Sequence, residues 1–309
     1  MLMFLASLLV ATAQPDVTPR CSVELMVLGV AQDGGAPQFG NSSDPAWADP
    51  SLRRLATSIG VVNRQSGQRF LFEATPDMRE QLHLFDGFMF PGTSPGLDGI
   101  FLTHAHMGHY TGLMFLGFES MGAREVPVYA MPDMTNFLFN NGPWDQLVRY
   151  QNIRLEPLAD REPVILDGLT VTPFEVPHRQ EYTEVVGYRI EGPDRSALFL
   201  PDIDSWDEWE ELGTSIEDII ASVDVAYLDA TFFANGEIPG RDMSGFPHPF
   251  ISHSMERFAD LPETERAKVR FIHFNHTNPV RFPDAPERDI VRAAGYNLAD
   301  EGERYCLGD

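Results

Sequence analysis

Six residues, His104-Ala105-His106-Met107-Gly108-His109, constrain this chain more than any other stretch. The apolar run Gly99-Ile100-Phe101-Leu102-Thr103 precedes them and reads as a buried strand. Tyr110 to Leu116 follows and reads as the start of a helix. A strand-to-helix turn carrying three imidazoles sets several nitrogen donors on one short piece of backbone. Packing gives no reason for such a cluster. A metal does: imidazole with carboxylate suits zinc, and iron or manganese nearly as well.

One turn supplies too few ligands, so the rest must come from the ends of other strands. Apolar runs end at His178, at Asp202 and at His273, with His276 as the alternative to His273. A ligating histidine hands its other ring N–H to a carboxylate or carbonyl. Asp33, Asp77 and Asp229 each stand just past an apolar strand or turn and are candidates for that role. Turn formation and helix capping are the commoner uses of aspartate.

The 309 residues are 43% apolar, enough for one large core, and show no repeat, low-complexity segment or Ser/Gly linker. Residues 1–20 read as a leader and 21–309 as a single domain. Within the leader, Met1 to Val10 is an apolar run ending in Ala11-Thr12-Ala13-Gln14, a cleavage-site pattern that lacks a basic flank. It is too short for a comfortable membrane span. The expectation is an exported protein, periplasmic or secreted, without a stable membrane anchor, and a cytoplasmic one if the segment is no signal. Cys21 and Cys306 stand just before the first strand and near the last. They are either a disulfide tying the two ends together or two unrelated thiols.

A net charge of -24 makes nucleic acid a poor partner, because a polyanion is repelled. A small-molecule substrate is expected instead. Oligomeric state leaves no mark on the sequence.

Strands are expected at 23–30, at 58–63 with 69–73 as a hairpin, at 98–102, 126–130, 153–156 and 169–176, at 185–191 with 195–200 as a second hairpin, and at 223–229 and 268–274. Helices are expected from Thr75, with Pro76 in the first turn, and near 132–140, 205–221, 249–260 and 286–294. Strands and helices alternate in blocks, as in a layered α/β sandwich.

The histidine run resembles the HxHxDH signature of the metallo-β-lactamase superfamily, with Gly108 where that signature has aspartate. The resemblance implies an αββα sandwich with a metal site at the sheet edge and hydrolysis by a metal-bound hydroxide. It assigns one metal to His104, His106, His178 and Asp202, and a second to His109, Asp202 and His273, so that zinc would be held at one or two per chain. Asp202 takes the bridging role. Asp229 in Asp229-Ala230-Thr231-Phe232, with His248 after it, is similar to the acid and histidine that act in proton transfer in the ribonuclease Z and phosphodiesterase branches. Gly108 removes one carboxylate from the second position, which should bind less tightly unless Asp33 or Asp77 substitutes.

Longer segments resemble the coenzyme PQQ biosynthesis protein B family. These are Leu28-Gly29 followed by Gly34-Gly35-Ala36-Pro37-Gln38, then Thr75-Pro76-Asp77-Met78-Arg79, Leu228-Asp229-Ala230-Thr231-Phe232, and Phe271-Ile272-His273-Phe274-Asn275-His276-Thr277-Asn278-Pro279. That alignment favours His273 over His276. The chain departs from that family at the histidine run, where the family has D-x-E-x-D-H, and after Gln38, where the family has a cysteine cluster. The resemblance therefore implies a paralogue with hydrolase-type ligands, acting on an ester, lactone or phosphodiester. An iron-dependent oxidoreductase and a non-catalytic metal-binding protein are the alternatives.

Overall fold

The computed structural model describes residues 21–87, 96–179 and 181–309, so the leader expected at 1–20 lies outside the described residues. Among the described residues, fourteen strands form two seven-stranded sheets. The first holds β1 (Val23–Gly29), β2 (Ser58–Asn63), β3 (Arg69–Phe72), β4 (Gly99–Phe101), β5 (Val126–Ala130), β6 (Ile153–Pro157) and, from the far end of the chain, β14 (Arg304–Gly308), in the order β14-β1-β2-β3-β4-β5-β6. The second holds β7 (Val164–Leu166), β8 (Leu169–Glu175), β9 (Val186–Glu191), β10 (Ser196–Leu200), β11 (Val225–Asp229), β12 (Val269–Ile272) and β13 (Asn297–Leu298), in the order β13-β12-β11-β10-β9-β8-β7. Each sheet is antiparallel along one half and parallel along the other: β3 to β6 run parallel in the first, β10 to β13 in the second.

Strand alternation builds the layers. In β1, Leu25 and Val27 face the core between the sheets, whereas Met26 and Leu28 face the helices outside. A central strand covered on both faces must be apolar throughout, and β1 is nearly that. Helices Met78–Asp86, Pro132–Asn140 and Trp144–Arg149 cover the first sheet through Met78, Phe85, Met134, Leu138 and Leu147. Trp206, Trp209, Ile216, Ile220, Ile251 and Phe258 do the same for the second. The result is the expected αββα sandwich.

The expected elements fall close to the observed ones, with four corrections. The helix expected over 205–221 is two, Trp206–Glu211 and Ile216–Ala221. Gly213 takes φ +94 between them, and Ser215 starts the second by accepting from the Asp218 N–H. The helix expected from Thr75 begins at Met78, so Pro76 precedes it. In the histidine run the helix begins at Met107 and tightens to a 3-10 turn over Thr111–Leu116. Helix Trp144–Arg149 and the short edge strands β7 and β13 have too little pattern to be read from sequence.

Cys21 and Cys306 form a disulfide with their Cα atoms 5.6 Å apart. Strands β1 and β14 pair antiparallel beside it, with Glu24 opposite Cys306. Trp206 and Trp209 are buried in the core. Among the described residues no helix is long and apolar enough to cross a membrane.

Candidate metal centre

Side chains gather where the strands end, along one edge shared by both sheets. His104 and Thr103 follow β4, Asp33 follows β1, and His178 follows β8. Asp202 follows β10, Asp229 closes β11, and His273 follows β12. The carboxyl ends of parallel strands are where α/β sheets leave room for a ligand.

Five histidines point one ring nitrogen inward, and each has an acceptor for the other. His104 Nδ1 donates to Thr103 Oγ1 at 2.8 Å, and the Thr103 hydroxyl donates in turn to the Glu73 carboxylate. His106 Nε2 donates to Glu181 at 3.0 Å. His109 Nδ1 donates to Glu73 Oε1 at 3.2 Å, and His178 Nδ1 to Asp204 Oδ1 at 2.7 Å. His273 Nδ1 donates to Thr231 Oγ1 at 3.0 Å, and Thr231 donates in turn to Asp229 Oδ1 at 2.8 Å. These tautomers follow from the hydrogen-bond network. They leave His104 Nε2, His106 Nδ1, His178 Nε2, His109 Nε2 and His273 Nε2 for the interior.

The inward nitrogens crowd. His104 Nε2 lies 2.8 Å from His106 Nδ1, which lies 3.4 Å from His178 Nε2. His109 Nε2 is 3.0 Å from Asp33 Oδ1 and 3.2 Å from Asp202 Oδ2. His273 Nε2 is 3.5 Å from Asp202 Oδ2 and 3.6 Å from Asp33 Oδ1. Ligand atoms of His104, His106 and His178 fall within 4.8 Å of one another, and so do those of Asp33, His109 and His273 and those of His104, His109 and Asp202.

This arrangement fits a divalent cation. Lone pairs of neutral imidazoles repel at such distances unless a positive charge sits between them. Asp202 Oδ2 and His273 Nε2 are buried and have no hydrogen-bond partner. An unsatisfied buried polar atom costs about 1–3 kcal/mol, which coordination would remove.

The charges lean the same way. Burial holds the His104 pKa well below its ordinary value, and does so less strongly for His106. At His109 burial opposes the charged ring, yet Asp202 and Glu73 outweigh it and hold the pKa well above normal. Burial raises the Glu73 carboxyl against the pull of His109.

His248 stands beside this cluster. Its Nδ1 donates to Asp229 Oδ2 at 2.7 Å and lies 3.9 Å from Asp202 Oδ1. Burial disfavours the imidazolium, but the Asp229 carboxylate prevails and raises the pKa to about 9. Asp229 is itself held by the backbone N–H groups of Ile203 and Thr231. The ring lines a cleft of about 500 Å³, which also takes in Asp33, His106, His178 and Asp202. Arg179, Arg241 and Phe246 line it as well.

The structure thus gathers His104, His106, His109, His178, Asp202, His273, Asp229 and His248. His276 is not gathered: its Nδ1 meets Asn41 at 3.3 Å. Nor is Asp77, whose Oδ2 accepts from the Ala56 N–H at 2.8 Å. Sequence reasoning missed Glu73, Thr103, Glu181, Asp204 and Thr231. Glu73 carried a signal, an acid directly after the apolar run Phe70-Leu71-Phe72, which is the pattern that picked out Asp202 and Asp229. Asp204 and Glu181 carried none in a chain with 46 acidic residues.

Known proteins share this framework. A family described as "Beta-lactamase superfamily domain" matches residues 68–304. Coenzyme PQQ synthesis protein B of Gluconobacter oxydans is 26% identical over 323 residues, covering 92% of this chain and 99% of that protein. The Zn(2+)-bound crystal structure of PqqB from Methylobacterium extorquens superposes with a TM-score of 0.75 at 24% identity, covering 91% of this chain and 99% of that one. A diphosphatase from the PhnP family superposes with a TM-score of 0.63 at 24% identity, covering 92% and 96%.

Proposed function

This chain belongs to the beta-lactamase superfamily and is PqqB-like in sequence, and from that membership we propose that it is a metal-dependent hydrolase of a small ester, lactone or phosphodiester. His104, His106 and His178 would hold one cation, His109 and His273 a second, and Asp202 would lie between the two. Zinc suits this set of nitrogen and carboxylate donors, with iron or manganese next. When bound, such a cation polarises a substrate oxygen and acidifies water.

The observation that carries the proposal is the His248–Asp229 pair at the edge of the cluster, in the cleft. Asp229 fixes the tautomer, so His248 holds one proton at Nδ1 and presents Nε2 to whatever enters. A charged imidazole there can give a proton to a departing oxygen. Arg179 and Arg241 on the walls suit an anionic substrate, which favours the phosphodiester among the three classes. The disulfide suits an oxidising compartment and supports export of the chain.

The test is His248→Ala in the zinc-loaded protein, assayed on an activated phosphodiester, an ester and a lactone. We expect kcat to fall by about 10²–10⁴-fold with metal content unchanged. Wild-type protein that carries zinc and hydrolyses none of the three would overturn the reading. The full-length similarity to a PQQ synthesis protein favours a second reading, an iron-dependent oxidoreductase with the same ligands. Oxygen uptake with ferrous iron, together with no hydrolysis, would install it instead.

A further inference from the structure

The glycine in the histidine run has an ordinary helical role by conformation, since Gly108 lies inside the turn Met107–Tyr110 and not in the left-handed region. Its lack of a side chain is therefore a matter of space. A Cβ placed on Gly108 would lie 2.3 Å from Asp33 Cα, 2.7 Å from Asp33 Cβ and 2.7 Å from Asp33 Oδ1. The nearest of these is a backbone atom, which cannot swing aside as a side-chain tip can. No residue but glycine fits while Asp33 stays where it is.

Asp33 is fixed there by its own loop. Ala31 bridges both Ala56 and Phe274, the Gln32 N–H donates to the Phe274 carbonyl at 2.8 Å, and the Gly35 N–H donates to the Gln32 carbonyl at 2.9 Å. Asp33 has φ 32, a positive value that aspartate tolerates better than most residues. The loop thus holds the carboxylate against the inward nitrogens of His109 and His273, at 3.0 and 3.6 Å.

We propose that Asp33 is the carboxylate ligand of the second metal position, supplied by the loop after β1 in place of the aspartate that the superfamily signature puts at position 108. Asp33 and a side chain at 108 exclude each other, so the ligand has changed loops while the ligand chemistry, one carboxylate beside His109, stays the same. The second position is then complete with Asp33, His109, His273 and Asp202. This rests on the two-position reading of the site, and it adds a ligand that the signature does not name.

The experiment is metal analysis of the purified full chain, stripped by chelator, reloaded with zinc and dialysed, with circular dichroism to show folding. Wild type should retain two equivalents. Asp33→Asn should retain one, still held by His104, His106 and His178. Gly108→Asp alone should also retain one, because the new side chain collides with the loop. The exchange Asp33→Gly with Gly108→Asp should still retain one, because the Cα of residue 33, the atom nearest to the new Cβ, stays in place. Two equivalents held by Asp33→Asn at wild-type affinity would overturn the assignment and leave the two-position reading standing. A wild type holding a single equivalent that Asp33→Asn leaves in place would overturn both. Should Asp33→Asn fail to fold, Asp33→Glu decides: loss of one equivalent from a folded chain supports the ligand role, and full retention contradicts it.

Discussion

Each sheet buries, at a strand end, an acid that serves two histidines, one directly and one through a threonine. In the first sheet Glu73 takes His109 directly and His104 through Thr103. In the second Asp229 takes His248 directly and His273 through Thr231. The devices match, yet their outcomes differ. Both histidines of Glu73 turn their free nitrogens into the cluster. Asp229 sends one inward and leaves the other, His248, lining the cleft. A buried acid with two imidazoles is therefore a part whose use is set by where the second ring points. In the proposed function the ring turned inward would ligate a cation, and the ring in the cleft would hold a proton ready.

The strongest way to break this contrast is to neutralise the two acids in parallel. Asp229→Asn should lower kcat by about 10²–10⁴-fold, because His248 loses the partner that fixes its proton. Excess zinc should not restore it. Glu73→Gln should instead weaken metal affinity by about 10–100-fold, and excess zinc should bring turnover back. If zinc rescues both variants or neither, the two halves do not differ as described.

A smaller effect should come from the relays. Thr103→Val and Thr231→Val each remove the acceptor of one ligand's outer N–H. Each should weaken binding at its own position by about tenfold, the low end of such effects. Zinc titration with a competing chelator checks this, and an equal loss at both positions from either variant would contradict the separation.

The last effect lies outside both halves and serves as a control. Burial lifts the Glu301 carboxyl from 4.5 to about 7, although it accepts from the Leu55 N–H. The folded chain then binds this proton more tightly than the unfolded one. The stability so gained is fully present below pH 4.5 and is lost as the pH rises through about 7. It amounts to at most about 3 kcal/mol. Glu301→Gln should flatten the denaturant midpoint across that window and leave metal content unchanged. A slope that persists in the variant assigns it to another group.

The candidate ligands His104, His178, His273 and Asp202 were legible because each follows an apolar run that ends abruptly. A strand buried on both faces must read as unbroken apolar sequence, so a polar residue at its end stands out. Glu181 and Asp204 were not legible. Their roles depend on which ring comes within reach after folding, and acids are too plentiful here for any one to signal. The break at Gly213 had a local mark, Leu212-Gly213-Thr214-Ser215, but the apolar positions on either side were in phase with one long helix. Gly108 was legible as a departure, while its cause lay 75 residues away, in the loop that carries Asp33.

The disulfide between Cys21 and Cys306 has a further consequence, one of connectivity. With the main chain between them it closes a covalent ring, and every residue assigned here to the metal centre belongs to that ring. A ring cut once is still one molecule. A protease that opens any single loop therefore cannot separate the two sheets, and the nicked protein should run as one band on a denaturing gel until reductant divides it. The halves of the site stay tethered even when the backbone between them is broken.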